Sequence, residues 1–271
     1  MSRHPRRAVA EQTVTILDTG RYRAPSGHDV DLSDALAASV RGTVLHRPAE
    51  PVPAIPPPGA AGRVEVTGET TLAAARRLGG DGTVPLALNF ASAKNPGGGF
   101  RNGAHAQEEG LARSSGLYAS LRAAPEYYAF HRAQGDLLYS DHMIYSPSVP
   151  VFRDDAGTLL DHPYPVAFLT SPAPNRGAIR DPAHAARVSG ALARRAHRVL
   201  ATALHHGHAS IVLGAWGCGV FRNDPREVAE TFAGLLGGPF AHRFGHVVFA
   251  VWDTAAGAPR HTAFAEVFAP A

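Results

Sequence analysis

The chain has 271 residues, 45% of them hydrophobic, so it can bury a sizeable core and its composition excludes disorder as the main state. A formal net charge of +3 and a pI near 9.3 favour anionic ligands weakly and lack the clustered basic stripes of a dedicated nucleic-acid binder. The single cysteine excludes an intramolecular disulfide. Because no secretion signal and no membrane-length apolar run is visible, we expect a cytoplasmic protein.

The first 62 residues predict a small appendage. Residues 13–17 and 21–23, with a Pro-Ser-Gly turn after them, predict a hairpin, and Asp31 or Ser33 is expected to cap a short helix through Val40. Six prolines then follow before Gly62, a density that disfavours helix and strand pairing. We therefore expect residues 1–62 to form an appendage with an extended connector, and residues 63–271 to form the main domain.

From residue 63 onwards, short apolar strands alternate with amphipathic helices, which predicts an α/β domain whose mixed or mainly parallel sheet is covered on both faces. The expected strands are residues 64–66, 84–90, 210–214 and 246–252, with shorter apolar stretches at 143–145, 150–152 and 166–170; the expected helices are residues 70–78, 105–122, 182–205 and 225–236.

A glycine-dense loop follows the strand that ends at Phe90. Its three consecutive glycines, residues 97–99, let backbone N–H groups approach a ligand, and the next helix start adds donors suited to phosphate. Glu108 and Glu109 fall in the first turn of that helix, where they could simply complement the helix dipole, with Glu109 paired to Arg113. Since adjacent residues project about 100° apart on a helix, the two glutamates are not expected to share one role.

Two common nucleotide-binding motifs do not fit this loop. A P-loop needs glycine before its lysine and a hydroxyl residue after it, whereas Lys94 lies between Ala93 and Asn95. A dinucleotide-binding fingerprint needs a third glycine where Asn102 stands. The loop therefore belongs to another class of site.

A second glycine-rich loop, residues 214–224, lies between an expected strand and a helix that opens at Pro225. Its backbone N–H groups could cradle a diphosphate, although an ordinary tight turn would also explain its glycines. Phe221 could equally be a core residue, and Cys218 is weighed as a nucleophile but fits a buried apolar role better. No spacing typical of zinc ligands is present.

Together the two loops resemble the signature of poly(ADP-ribose) glycohydrolases, particularly the compact microbial type. The first match is Gly-Gly-Gly at 97–99, a seven-residue spacer and Gln-Glu-Glu at 107–109; the second is Gly-Cys-Gly-Val-Phe at 217–221. The resemblance covers about residues 63–253. It implies a macrodomain-like three-layer α/β/α fold with a mixed central sheet and a small N-terminal extension.

The resemblance also implies roles for individual residues. Glu109 would be the catalytic acid and Glu108 a supporting ribose contact, while Phe221 would orient the ribose and Gln107 would shape the site. Residues 170–175 could line the adenosine pocket or form an ordinary connecting loop. The residues expected to contact substrate are Asn95, Gly97, Gly98, Gly99, Gln107, Gly217, Cys218, Gly219, Val220 and Phe221.

The activity implied is hydrolysis of ribose–ribose glycosidic bonds through an oxocarbenium-like state, with Glu109 protonating the departing oxygen. The expected substrate is ADP-ribose polymer or ADP-ribosylated protein, attacked from chain ends by a monomer that needs no metal or cofactor and binds neither membrane nor nucleic acid. Two alternatives stay open: a reader that binds ADP-ribose without cleaving it, and a hydrolase of mono-ADP-ribosylated protein or nucleic acid.

Overall fold

The computed structural model describes residues 3–269, which form helices on both sides of a central sheet. The helices are α1 (Arg3–Thr19), α2 (Ser33–Arg41), α3 (Thr71–Leu78), α4 (Gln107–Ser114), α5 (Leu117–Arg122), α6 (Pro125–Ala133), α7 (Pro182–Ala185), α8 (Val188–His205), α9 (Pro225–Gly237) and α10 (Pro259–Val267). The strands are β1 (Arg21–Arg23), β2 (Asp29–Asp31), β3 (Val44–His46), β4 (Arg63–Thr67), β5 (Leu86–Phe90), β6 (Met143–Arg153), β7 (Leu159–Ser171), β8 (Ser210–Leu213) and β9 (His246–Ala250).

The main sheet has seven strands in the order β3-β6-β7-β5-β8-β9-β4. Its five strands from β7 to β4 are parallel, whereas β6 runs antiparallel to both β7 and β3. The predicted mixed sheet is therefore confirmed. Because β5, β8 and β9 run parallel, the loops that follow them lie at one edge of the sheet, where α/β proteins bind ligands.

Alternating residues of the central strands build two cores. Leu88 of β5 and Phe249 of β9 pack on one face against α8 and α9, while Ala87 and Val248 face the opposite layer with α3 and α5. Successive side chains of a strand point to opposite faces, so near-continuous apolar strands must be covered on both sides. This is the three-layer α/β/α arrangement predicted from the sequence.

The N-terminal segment differs from its prediction. Residues 13–17 belong to the 17-residue helix α1 rather than to a strand, and the hairpin is formed by β1 and β2 instead. The helix is favoured because Ala10, Thr13 and Ile16, spaced three apart, are all buried against the rest of the protein. The expected cap of α2 by Asp31 or Ser33 is wrong, because the residue before the helix is Leu32 and no side-chain cap hydrogen bond forms; Asp31 accepts from the Ser33 N–H at 2.8 Å one residue earlier.

Residues before 62 also join the main sheet. Strand β3 pairs with β6, Leu45 lying opposite Ile144, and residues 51–59 form neither helix nor strand, as their prolines predict. The division of the chain at residue 62 stays a prediction.

Three other predicted elements differ in extent. The expected helix 105–122 is divided into two helices, α4 and α5. The division occurs because the backbone of Ser115 is extended and forms a β-bridge with Val151. The next N–H, that of Gly116, then donates to the Pro150 carbonyl. The expected helix 182–205 is likewise divided into α7 and α8, and the short apolar stretches of the middle region are parts of the long hairpin β6–β7. Helices α6 and α10 were not predicted from the sequence.

Candidate functional site

The first glycine loop folds tightly against the two glutamates of α4. Gly97 and Gly98 have φ values of +67° and +59°, a region that favours glycine. A Cβ atom at Gly98 would lie 2.4 Å from Oε1 of Glu109 and 3.1 Å from Oε2 of Glu108. Both carboxylates therefore lie beside one glycine, whose positive φ disfavours any larger residue.

Glu109 is held by the loop that it faces. The N–H of Gly99 donates to its Oε1 at 2.9 Å, and the side chain is half-buried. Within residues 3–269 no ion pair joins Glu109 to Arg113, the helix partner weighed from the sequence. The guanidinium of Arg113 instead donates to the Ala104 carbonyl at 2.7 Å and lies 3.3 Å from Nδ1 of His105. The glutamate is thus placed by the glycine loop, not by its neighbour on the helix.

Glu108 points into the protein interior. Its Oε2 accepts a 2.6 Å hydrogen bond from the Ser92 N–H, and its Oε1 accepts one from Nδ2 of Asn89 at 3.3 Å. The side chain is only 3% exposed. Burial raises the pKa of Glu108 to about 8, the hydrogen bond from Ser92 opposes that shift, and the charge of Glu109 adds to it. Glu108 is therefore protonated at neutral pH and ties the end of β5 to α4.

The side-chain amide of Gln107 forms hydrogen bonds with the backbone of β5. Its Oε1 accepts from the Phe90 N–H at 2.9 Å, and its Nε2 donates to the Leu88 carbonyl at 2.8 Å. The amide thus binds the last residues of the strand to the first turn of α4. Asn95, by contrast, lies exposed in the loop, where its carbonyl accepts a hydrogen bond from the Gly98 N–H at 3.0 Å.

The second glycine loop is fixed by two side chains beneath it. The indole of Trp216 is fully buried and donates to the Ser171 carbonyl at 3.1 Å. Asn223 donates to the Pro174 carbonyl at 2.9 Å, so the segment 170–175 lies behind this loop and supports it. Gly217 has a φ of +74°, and a Cβ there would meet Nδ2 of Asn223 at 2.4 Å. The turn therefore requires glycine at that position.

The tip of the second loop is open to solvent. Val220 is 82% exposed and Gly219 is also exposed, while the ring of Phe221 is half-buried with its centroid 5.8 Å from that of Tyr139. Cys218 faces the apolar core beneath the loop, and burial raises its pKa to about 12. A thiol that holds its proton so strongly is not an activated nucleophile.

A cleft of about 700 Å³ runs beside α4 and reaches the second glycine loop. Gln107 and Phe90 line it on one side, and Gly217, Gly219, Val220 and Phe221 line it on the other. The carboxylate of Glu109 faces Gly98 and Gly99, behind the first turn of α4. The volume is within the range of sites for nucleotide-sized ligands.

Several residues of the cleft were missed by the sequence reasoning. Trp252 is 62% exposed at the rim, Thr70 and Thr71 lie at the start of α3, and Arg6 and Val9 reach the cleft from α1. The position of Trp252 directly after an apolar strand was a usable signal, because strand ends form the ligand edge of such sheets. No local sequence pattern indicated that residues of α1 would line the cleft.

Two further properties concern the described part of the chain. Among the side chains that the structure describes, no group of three or more His, Cys, Asp or Glu residues is arranged to hold a metal ion. No helix in the same range is both long and apolar enough to cross a membrane.

Comparison with known proteins places the chain in a family. The model of the microbial-type poly(ADP-ribose) glycohydrolase catalytic domain matches residues 10–154. The solved poly(ADP-ribose) glycohydrolase of Thermomonospora curvata is 65% identical with a TM-score of 0.95, the match covering 98% of this chain and 100% of that one. The same enzyme bound to the inhibitor ADP-HPD is 64% identical with a TM-score of 0.91, covering 98% and 100%.

A more distant relative carries a ligand. The poly(ADP-ribose) glycohydrolase of Deinococcus radiodurans in complex with ADP-ribose is 48% identical with a TM-score of 0.81, and the match covers 88% of this chain and 98% of that one. No curated protein matched the chain. The family model covers more than half of the chain and the solved relatives nearly all of it, so the chain belongs to the microbial-type poly(ADP-ribose) glycohydrolases, which are glycoside hydrolases.

Proposed function

We propose that Glu109 is the general acid with which this glycohydrolase protonates the departing ribose oxygen. The proposal rests on the way in which the carboxylate of Glu109 is fixed. The Gly99 N–H donates to its Oε1 at 2.9 Å, and Gly98 lies in close contact with it. A fixed carboxyl group can keep one oxygen aimed at the scissile bond, and general acid help of this kind contributes about 10²–10⁴-fold. After the leaving group departs, the same carboxylate can activate the attacking water.

The cleft suits an ADP-ribose unit. The solved enzyme of Deinococcus radiodurans is in complex with ADP-ribose, and this chain has a cleft of about 700 Å³ that is lined by the first turn of α4 and by the second glycine loop. We assign the diphosphate to the backbone N–H groups of residues 217–221, where glycines allow close approach. Phe221 would contact the ribose next to the scissile bond, and the exposed ring of Trp252 offers a surface on which adenine can stack.

Glu108 has a different role from its neighbour. It is protonated and bonded to Ser92 and Asn89, so it holds the start of the glycine loop against the end of β5. A neutral carboxyl group there adds no negative charge beside the general acid. Glu108 therefore acts through the position and the charge environment of Glu109, and a hydroxyl group of the bound ribose can add to its contacts.

The substrate that suits this site is the end of an ADP-ribose polymer, free or attached to protein, cleaved by a monomer. The terminal unit would occupy the part of the cleft that is lined by the second glycine loop, so that cleavage releases ADP-ribose. The alternative substrate is a mono-ADP-ribosylated protein or nucleic acid, which would place a different leaving group beside Glu109.

Glu109→Gln tests the assignment. We expect this variant to lose hydrolysis of polymer while its affinity for ADP-ribose stays within about tenfold of the parent, because the proton acts in the transition state. Release of ADP-ribose is followed by chromatography, and affinity by calorimetry. Glu126→Gln, the same chemical change at an exposed position on α6, is the matched control. Normal turnover by Glu109→Gln would show that the acid is another residue.

A second arm of the experiment separates the substrate classes. The parent is offered polymer and mono-ADP-ribosylated protein at equal ADP-ribose content. We expect release of ADP-ribose from polymer, and preferential release from the mono-ADP-ribosylated protein would contradict the proposed substrate.

A further inference from the structure

The cleft continues past the first turn of α4 to a wall that carries basic side chains. Arg6 of α1 and Arg113 of α4 line this wall, together with His105 from the segment between them. Arg6 is held there by a hydrogen bond from its Nε to the Gly103 carbonyl at 2.9 Å. This basic wall, defined as Arg6, His105 and Arg113, is not explained by the binding of a single ADP-ribose unit.

The imidazole of His105 is oriented by Arg113. Its Nδ1 lies 3.3 Å from a terminal nitrogen of the Arg113 guanidinium, which can only donate. Nδ1 therefore accepts, and the ring proton is on Nε2. Burial lowers the pKa of His105, and the charges of Arg113 and Arg6 lower it further, so the ring is neutral at pH 7. His105 thus presents a neutral N–H donor beside two guanidinium groups.

Two carboxylates line another part of the same cleft but are bonded to their own surroundings. Oδ1 of Asp154 accepts from the Thr158 N–H at 2.8 Å, and Oδ2 of Asp155 accepts from the hydroxyl of Thr70 at 2.7 Å. Both belong to the turn between β6 and β7. Neither appears among the groups that influence His105, whose electrostatic neighbours include Arg113, Arg6 and Glu109. The basic wall therefore favours an anion.

We propose that the basic wall is a second phosphate subsite, which takes the pyrophosphate of the neighbouring ADP-ribose unit in the polymer. The inference rests on the proposed function, in which the terminal unit places its own diphosphate on residues 217–221. The Gly99 N–H holds Glu109, the Gly99 carbonyl accepts from the Ala104 N–H at 3.2 Å, and Arg113 donates to the Ala104 carbonyl at 2.7 Å, so the basic wall lies next to the loop that holds the general acid. A polymer carries one pyrophosphate per unit, and guanidinium groups with a neutral N–H donor suit its oxygens.

The chain offers a matched control for this subsite. Arg3 is also on α1, and its Nε also donates to a carbonyl of the glycine loop, that of Asn102 at 3.2 Å. Arg3 is exposed and does not line the cleft, whereas Arg6 does. Arg3→Ala therefore removes the same charge and the same kind of loop contact without removing a residue of the basic wall.

The test compares Arg6→Ala, His105→Ala and Arg3→Ala with the parent. KM and kcat are measured with ADP-ribose chains of three or more units, and the dissociation constant of free ADP-ribose is measured by calorimetry. We expect Arg6→Ala and His105→Ala to raise KM for the chains about tenfold, as the loss of one charge-assisted contact predicts, with less than about a twofold change in the dissociation constant of ADP-ribose. Arg3→Ala should match the parent.

Three results would overturn the subsite. The first is an unchanged KM in both Arg6→Ala and His105→Ala. The second is an equal rise in Arg3→Ala, which would show that α1 only supports the loop. The third is an equal loss of affinity for free ADP-ribose, which would place the terminal unit itself on the basic wall. Failure of the proposed function is seen separately, as normal turnover by Glu109→Gln or as a parent that does not bind ADP-ribose.

Discussion

Glu108→Gln should make the stability of this protein less dependent on pH. In the folded protein the side chain is 3% exposed, and burial raises its pKa to about 8 from an ordinary value of 4.5. A glutamate in the unfolded chain ionises near that lower value. The contribution of Glu108 to stability is therefore fully present below pH 4.5 and is lost as the pH rises toward 8. Glutamine keeps the shape of the side chain and does not ionise.

The size of the effect follows from the two pKa values. One pKa unit corresponds to about 1.4 kcal/mol, so the loss between pH 5 and pH 7 is about 2.5 kcal/mol for this group alone. Burial is the largest cause of the raised pKa of Glu108, and the hydrogen bonds that its carboxyl group accepts from Ser92 and Asn89 oppose the rise.

The measurement is urea unfolding of the parent and of Glu108→Gln at pH 5, 6 and 7, followed by circular dichroism. The difference between their free energies of unfolding should change by about 2.5 kcal/mol across that range, and groups common to both proteins cancel in it. Glu126→Gln, at an exposed position, should leave the pH dependence as in the parent. A difference that is the same at pH 5 and pH 7 would refute a raised pKa for Glu108.

Three further substitutions test other parts of the site. Gly98→Ala would place a methyl group 2.4 Å from Oε1 of Glu109, so initial rates on polymer should fall about 100-fold. The control is Gly190→Ala, where a Cβ meets nothing within 4 Å, and this variant should retain activity. Equal rates in the two variants would contradict the close contact at Gly98. Cys218→Ala should keep activity within about threefold of the parent because the thiol is not ionised. A loss of more than 100-fold would indicate that Cys218 is a nucleophile. Trp252→Ala should weaken ADP-ribose binding by about tenfold or more in calorimetry, and unchanged affinity would place adenine elsewhere.

The central elements of the fold could be predicted from local sequence. Strands β5, β8 and β9 are runs of apolar residues bounded by turn residues, and such runs specify strands buried on both faces. The start of α9 was equally readable, because Asp224 accepts hydrogen bonds from the first N–H groups and Pro225 opens the helix. These signals depend on neighbouring residues only, so tertiary contacts do not override them.

Helix α1 shows where local signals fail. Residues 13–17 are rich in β-branched side chains, which favour a strand, yet they are helical. The helix is stabilised by contacts about 100 residues away: the hydroxyl of Thr13 donates to the Arg113 carbonyl at 2.6 Å, and Arg6 donates to the Gly103 carbonyl. Such partners cannot be found from the spacing of residues along the chain. The same contacts bring α1 to the cleft, so its residues were absent from the predicted site.

The sequence by itself determined the two glycine loops and the adjacent glutamates, because close approach of backbone to ligand requires glycine and the chemistry requires carboxyl groups. Helix geometry predicts only that Glu108 and Glu109 differ in role, and the family resemblance implies that Glu109 is the acid. The tertiary structure adds the physical difference between them, because it buries Glu108 against Ser92 and Asn89 and leaves Glu109 half-buried against Gly99. Burial raises the pKa of Glu108, and burial depends on how distant parts of the chain pack.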